Sequence, residues 1–383
     1  MNSTRESSPQ ATGSEKKEMN KNDQERVLEV QNLQVSFHTY AGEVKAVRGL
    51  DFHLDAGETL AFVGESGCGK SVTSKAIMRL LKCPPAEIKK GSVVRFCGED
   101  VLSMDKARLT RYKGSDIGMI FQDAMTSLNP TMTCGKQIVE SLRIHTNMSR
   151  EECKERAIEM LREVEIPNPE KRFKQYPHEL SGGMRQRVMI AIALACQPRI
   201  MIADEPTTAL DVTIQAQIMS LLKDLQQKEK ASIILVTHDL GVVANFADRI
   251  QVMYAGQIVE TGTTEEIFKN PQHPYTWALL RSIPRVDAED KEELYSLNGT
   301  PPDLILPLEG CPFTDRCDYA MQICRNCHPE KTQFSETHSC ACWLQHEMAP
   351  SVESPIRRKT TAAKQKATAT EQCAETIKGG EAQ

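Results

Sequence analysis

The run Gly64-Glu65-Ser66-Gly67-Cys68-Gly69-Lys70-Ser71 constrains this chain more than any other stretch of it. It has the form G-x-x-x-x-G-K-[ST], a glycine-rich turn that points successive backbone N–H groups at phosphate oxygens. Glycine is needed where the backbone turns too tightly to carry a side chain. In such a loop Lys70 reaches the β- and γ-phosphates and the Ser71 hydroxyl completes the shell of a Mg²⁺ ion. The helix that starts near Lys70 adds its positive end. Ser66, Gly67, Cys68, Gly69 and Val72 complete the candidate nucleotide-binding set. The flanks agree: Thr59–Val63 is an apolar run that reads as a buried strand, and Ser71–Leu81 carries apolar residues at helical spacing.

The 383 residues are enough for a large core and more than one structural unit. A net charge of −5 leaves no basic footprint for nucleic acid. No apolar run approaches a membrane span, and the polar N-terminal stretch lacks a signal segment, so the chain is expected in the cytoplasm, free to dock on a membrane protein. Of 13 cysteines, Cys311, Cys317, Cys324, Cys327, Cys340 and Cys342 fall close together, whereas the others are scattered. Scattered cysteines in a cytosolic protein are reduced fillers; the cluster needs its own explanation.

Residues 1–26 are polar and read as a disordered tail, as do 350–383, which are rich in Ala, Thr, Lys and Glu. Val27–Val30 and Leu33–Phe37 alternate as two half-buried strands, and Val44–Leu54 reads as a strand pair. Between them Tyr40, or alternatively Phe37, can stack on an adenine ring; a turn aromatic with no ligand is the competing reading. Ile117–Phe121 is a short strand ending at Gln122. Residues 137–165 have helical periodicity and read as an insertion closed by Pro167 and Pro169. Arg199–Asp204 and Ser232–Thr237 are strands ending in Asp204-Glu205 and His238-Asp239. Strands alternating with helices, with polar residues at the strands' C-terminal ends, describe a mainly parallel α/β sheet.

Taken in order, these pieces resemble the ATP-binding cassette (ABC) family over residues 27–265. The phosphate loop is followed by Gln122 at the Q-loop position, Leu180-Ser181-Gly182-Gly183-Met184-Arg185-Gln186 at the signature, Ile200–Asp204 with Glu205 at Walker B, Ala209-Leu210-Asp211 at the D-loop and His238 at the switch. Thr208 stands where serine is common, so a hydroxyl is retained. The resemblance implies a P-loop nucleotide-binding fold: a RecA-like, mainly parallel core, an antiparallel β subdomain and a helical subdomain at about 123–195. It implies that Asp204, Ser71 and Gln122 serve Mg²⁺, and that Glu205, His238 and Gln122 act on the attacking water. Ser181, Gly182, Gly183, Gln186 and Asp211 would meet ATP across a dimer interface.

Asn270-Pro271-Gln272-His273-Pro274-Tyr275-Thr276 and Ser127-Leu128-Asn129-Pro130 resemble the ATPase subunits of dipeptide and oligopeptide importers, a group that includes nickel importers. Residues 266–349 then form a small Cys-rich C-terminal domain. Its spacings resemble that group's C-terminal motif, which implies a 4Fe–4S cluster on Cys311, Cys317, Cys324 and Cys342. Cys340 competes for the fourth place, and Cys327 is extra. Four thiolates also suit zinc, with His328 and His338 nearby, and unliganded thiols remain a third reading.

The expectation is an ATPase on the cytoplasmic face of the inner membrane, peripheral to two permeases. It would pair with a homologous second ATPase or with itself, and an extracytoplasmic binding protein would deliver the solute. Two rivals stand in other classes. A soluble cassette protein acting on nucleic acid is disfavoured by the charge and by the compact separation of Gly64 from Ser181. An iron–sulfur redox sensor that binds ATP would hydrolyse slowly whatever permease is present.

Overall fold

The computed structural model describes residues 26–208, 210–283 and 297–356. The expected tails lie outside it, from 1 to 25 and beyond 356, as does Ala209. Residues 350–356 stay with the fold, with Ser354 buried and Ile356 packed on the core.

One sheet is antiparallel. Its hairpin is β1 (Arg26–Thr39) and β2 (Gly42–Asp55), and β4 (Ala86–Ile88) and β5 (Val93–Phe96) both pair with β1. β6 (Glu99–Asp100) closes the far edge. The two strands expected over Val27–Phe37 are one bulged strand. The register slips between Val30 and Leu33, where Asn32 takes a positive φ of 46° and its N–H is bound by Asp51. A bulge inserts an unpaired residue, which breaks the alternation in sequence without ending the strand. Val44–Leu54 is likewise one strand rather than two.

The second sheet holds the parallel core. β3 (Thr59–Val63), β7 (Ile117–Ile120), β8 (Ile200–Asp204), β9 (Ser232–Thr237) and β10 (Arg249–Tyr254) run parallel in the order β10-β3-β9-β8-β7. β11 (Gln257–Thr263) continues it antiparallel, and the C-terminal β12 (Lys331–Gln333) and β13 (Ser339–Ala341) extend it further through the Glu260–Cys340 pairing. The Cys-rich region therefore grows out of the edge of the core sheet.

Both faces of the parallel strands are covered, so they read as unbroken apolar runs and side chains alternate between two cores. Ala61, Val63, Met201, Ala203, Ile233 and Leu235 join the helical side; Leu60, Phe62, Ile200, Ile202, Ile234 and Val236 face the antiparallel sheet. The insertion over 137–165 is two helices, Cys134–His145 and Arg150–Glu163. Ser149 restarts the second with a capping box, its Oγ accepting from the Glu152 N–H while the Glu152 carboxylate accepts from the Ser149 N–H. Ile138, Leu142, Ala157 and Leu161 pack on the helical-side core. Among the described residues no helix is long and apolar enough to cross a membrane.

Candidate functional site: a phosphate loop at the ends of parallel strands

Parallel register brings the distant motifs together. Val63 pairs with Thr237, Val236 with Asp204, and Ala203 with Ile120. The phosphate loop, His238, Glu205 and Gln122 thus leave the C-terminal ends of four adjacent strands, the position where open α/β sheets bind ligands.

The loop is shaped by close backbone approaches. Gly69 has φ 103°, and a Cβ there would lie 2.5 Å from the Ala46 carbonyl oxygen; a Cβ on Gly64 would lie 2.2 Å from that of Met253. The helix Lys70–Ile77 starts directly from Gly69. Lys70 is buried, and its ammonium donates to the carbonyls of Gly64 at 2.7 Å and Glu65 at 2.9 Å. Its charge is thereby held inside the loop.

Ser71 Oγ donates to Asp204 Oδ1 at 2.8 Å. Burial raises the Asp204 carboxyl above its ordinary range, and the Ser71 hydrogen bond works the other way. Glu205 follows in a left-handed conformation (φ 48°), a costly backbone for a side-chain-bearing residue and one that clusters at functional sites. Gln122 Nε2 donates to Glu205 Oε2 at 2.7 Å and the Thr208 hydroxyl to the same oxygen at 2.9 Å; His238 Nδ1 stands 3.4 Å from Oε1. The Glu205 side chain is 13% exposed and that of His238 61%. A poorly solvated carboxylate beside an open imidazole can take a proton from a water lying between strand ends and phosphate.

Ser181 caps the helix Gly182–Leu194, accepting from the Met184 N–H, and Asp211 caps Val212–Glu229, accepting from the Ile214 N–H. Ser181, Gly182 and Asp211 are exposed and Gly183 is partly so. A Cβ on Gly183 would lie 3.1 Å from Ile214, so the two helix starts adjoin. Gln186 departs from expectation. It is 4% exposed and its amide donates to the Pro206 carbonyl at 2.6 Å, which makes it a brace between the signature helix and the Glu205 turn rather than a surface contact. Tyr40, at the hairpin tip, is fully exposed, whereas Phe37 packs on the antiparallel core; of the two, only Tyr40 has a free ring face.

In the C-terminal lobe, burial pushes the thiols of Cys311, Cys317 and Cys342 up, Cys317 to about 11 and Cys342 to about 12. Burial also raises the thiol of Cys340, which is fully buried. Cys327 is exposed. The nearby histidines are engaged elsewhere: His338 Nε2 with buried Glu260 at 2.9 Å and His328 Nε2 with Gln257 at 2.9 Å. Among the described residues, no three His, Cys or carboxylate ligand atoms of this lobe lie within 4.8 Å of one another; the only such trio is His38, Glu43 and Glu87. Tetrahedral zinc with Zn–S of about 2.3 Å would bring sulfurs to about 3.8 Å, a spacing that no three of the described thiols share.

Sequence reasoning passed over Glu65, Tyr275, Arg316 and Pro301–Leu304 as parts of this site. The last segment and the phosphate loop enclose a cleft of about 340 Å³. The Leu304 carbonyl accepts from the Lys45 N–H and the Arg48 guanidinium. Tyr275 lies inside the Asn270–Thr276 run and Arg316 just before Cys317, but nothing local reports what they touch.

A profile of the ABC transporter family matches residues 47–208, and one of the oligopeptide/dipeptide transporter C-terminal region matches 259–324. The oligopeptide transport ATP-binding protein OppD of Bacillus subtilis is 58% identical over 86% of this chain and 92% of its own length. The dipeptide transport ATP-binding protein DppD of the same organism is 54% identical over 85% and 96%. The ATP-binding cassette MJ0796, in a dimeric post-hydrolysis state bound to ADP and Pi, aligns with a TM-score of 0.56 at 30% identity, covering 62% of this chain and 98% of its own. The chain belongs to the ABC transporter family, among its oligopeptide and dipeptide transport ATP-binding proteins.

Proposed function

We propose that this chain is the ATP-hydrolysing subunit of an importer of dipeptides or oligopeptides, peripheral on the cytoplasmic face of the inner membrane. The observation that carries this reading is the Glu205 carboxylate, gripped by Gln122 and Thr208 beside His238, one residue beyond the Asp204 that holds Ser71.

ATP would place its phosphates on the N–H groups of Gly67–Ser71 and its adenine on Tyr40. Lys70 would exchange the loop carbonyls for phosphate oxygens. The hydroxyl of Ser71 and the carboxylate of Asp204 are hard oxygen donors suited to Mg²⁺, with Gln122 alongside, and the ion would neutralise charge on the β- and γ-oxygens. Glu205 would take the proton of the attacking water, held in register by Gln122 and His238. Ser181, Gly182, Gly183 and Asp211 would close on the γ-phosphate of a second cassette, either a homologous ATPase or a second copy. That makes ATP the glue of a two-state dimer. The helical subdomain, about 123–195, would receive two permeases, with an extracytoplasmic binding protein delivering solute to them.

The thiols of Cys311, Cys317, Cys324 and Cys342 would hold a 4Fe–4S cluster, with zinc as the alternative, since four thiolates suit either. Such a group would brace the lobe once the thiols are deprotonated on binding it.

The test is uptake of labelled di- and oligopeptides in the native cell, wild type against Glu205→Gln at matched protein level. Collapse of uptake is expected. Persistence in a strain with no second peptide importer overturns the peptide reading and makes nickel the next solute to try.

A further inference from the structure

Glu65, the second residue of the phosphate loop, is held by contacts that the loop motif does not itself require. Both its carboxylate oxygens accept from Arg316, Nη1 to Oε2 at 2.5 Å and Nη2 to Oε1 at 2.9 Å. The Arg316 side chain is 4% exposed. It also donates from Nη1 to the Tyr254 hydroxyl at 3.2 Å and from Nε to the Asn298 carbonyl at 3.0 Å. The Glu65 N–H donates to the Tyr275 hydroxyl at 2.8 Å. Tyr254, Tyr275 and Phe313 pack edge to face or tilted, with ring centroids 4.7–5.3 Å apart, so the anchor groups share one rigid aromatic floor.

Arg316 is aimed by the cysteine-bearing turn. The Thr314 hydroxyl shares its one proton between the carbonyls of Cys311 at 2.7 Å and Cys324 at 2.9 Å, and the Cys311 N–H donates to the Cys324 carbonyl at 2.7 Å. The Arg316 N–H closes on Phe313. One short hydrogen-bonded turn therefore carries both the thiols and the arginine that reaches the phosphate loop, a contact between residues 251 apart in sequence.

The chemistry of this contact is specific. A carboxylate inside a loop built to receive a polyanion opposes that anion unless it is neutralised and turned away. A bidentate guanidinium does both, since its planar fork fixes the carboxylate's direction as well as cancelling its charge. We infer that Arg316 is a positioning residue for the phosphate loop, through which the C-terminal lobe sets the loop's affinity for nucleotide, with Tyr275 as the second anchor. This rests on the reading of Gly64–Ser71 as the ATP site.

The experiment uses the full-length protein with Mg²⁺ and a fluorescent ATP analogue. It compares wild type with Arg316→Ala, Arg316→Lys, Glu65→Gln and Arg316→Ala/Glu65→Gln, and adds steady-state kcat and KM for ATP. Arg316→Ala is expected to weaken binding roughly ten- to hundredfold, the size of one charged hydrogen-bonded contact, and to raise KM while kcat changes less than about threefold. Arg316→Lys falls between. The diagnostic result is rescue: removing the Glu65 charge in the Arg316→Ala background brings affinity back toward that of Glu65→Gln alone. A merely structural role predicts no rescue. Binding by Arg316→Ala within twofold of wild type, or a double variant no better than Arg316→Ala, overturns the inference. If Arg316→Ala does not fold, Arg316→Lys against Glu65→Gln carries the comparison. If wild type does not bind the analogue, the ATP reading of the loop fails first and takes this one with it.

Discussion

Replacing Glu205 by glutamine removes one charge and one base from a side chain whose position the structure over-determines. Gln122 and Thr208 both donate to Oε2, so the new amide oxygen must occupy that place. The NH₂ group then faces His238 Nδ1, 3.4 Å from the position of Oε1, which can accept from it in the appropriate tautomer. Every hydrogen bond can be remade, so the cost in stability should stay below about 1 kcal/mol. What is lost is the proton acceptor. General-base catalysis contributes roughly 10²- to 10⁴-fold, equal to about 2.7–5.5 kcal/mol of barrier, and turnover should fall by that factor while ATP binding survives. The assay is phosphate release at saturating Mg–ATP, with size-exclusion chromatography in ATP to follow dimer formation. Slow turnover with a persistent ATP-bound dimer is expected. A kcat within threefold of wild type would refute the role of Glu205 and the mechanism built on it.

Three further outcomes follow from individual contacts. Gly69→Ala forces a Cβ to 2.5 Å from the Ala46 carbonyl oxygen at φ 103°; it should cost at least about 1–2 kcal/mol of stability and weaken ATP binding more than tenfold, and wild-type affinity would show that the loop can relax. His273 is buried with its Nε2 unpartnered, and burial pushes it down to about 3. Its unfolded value is about 6.5. Between those values the unfolded chain binds a proton that the native chain does not, so acidification destabilises: this group alone should remove about 2 kcal/mol between pH 7 and pH 5. The urea midpoint of His273→Gln should then fall less steeply over that range than wild type, and equal slopes would refute the assignment. Protein purified without oxygen should be brown and carry iron and sulfide, with Cys342→Ser losing both and Cys340→Ser retaining them; stoichiometric zinc in wild type would overturn the cluster.

Much of the candidate site could be read from the chain because the chemistry proposed for it depends on local spacing. A phosphate loop needs glycines and a lysine within eight residues, Asp204 ends a strand, and Glu205 and His238 each directly follow one, so short-range pattern and residue type bring them to notice. Elements were harder where irregularity breaks the pattern. The bulge at Asn32 made one strand resemble two, and the turn at Thr146–Ser149 divides a periodic stretch into two helices. Gln186 was assigned by its place in a motif, but helical geometry turned it inward, onto Pro206.

By itself the sequence determined the cassette, the order of its motifs and the thiols of the C-terminal lobe, because each is encoded in neighbouring residues whose types answer a chemical need. Only the tertiary structure decided that the lobe continues the core sheet through Glu260 and Cys340, and that Arg316 and Tyr275 grip Glu65. Those contacts join residues more than two hundred positions apart in the cases of Tyr275 and Arg316. They exist because parallel strand order and the packing of Tyr254, Tyr275 and Phe313 bring the lobe against the loop, and neither periodicity nor motif spacing carries that information.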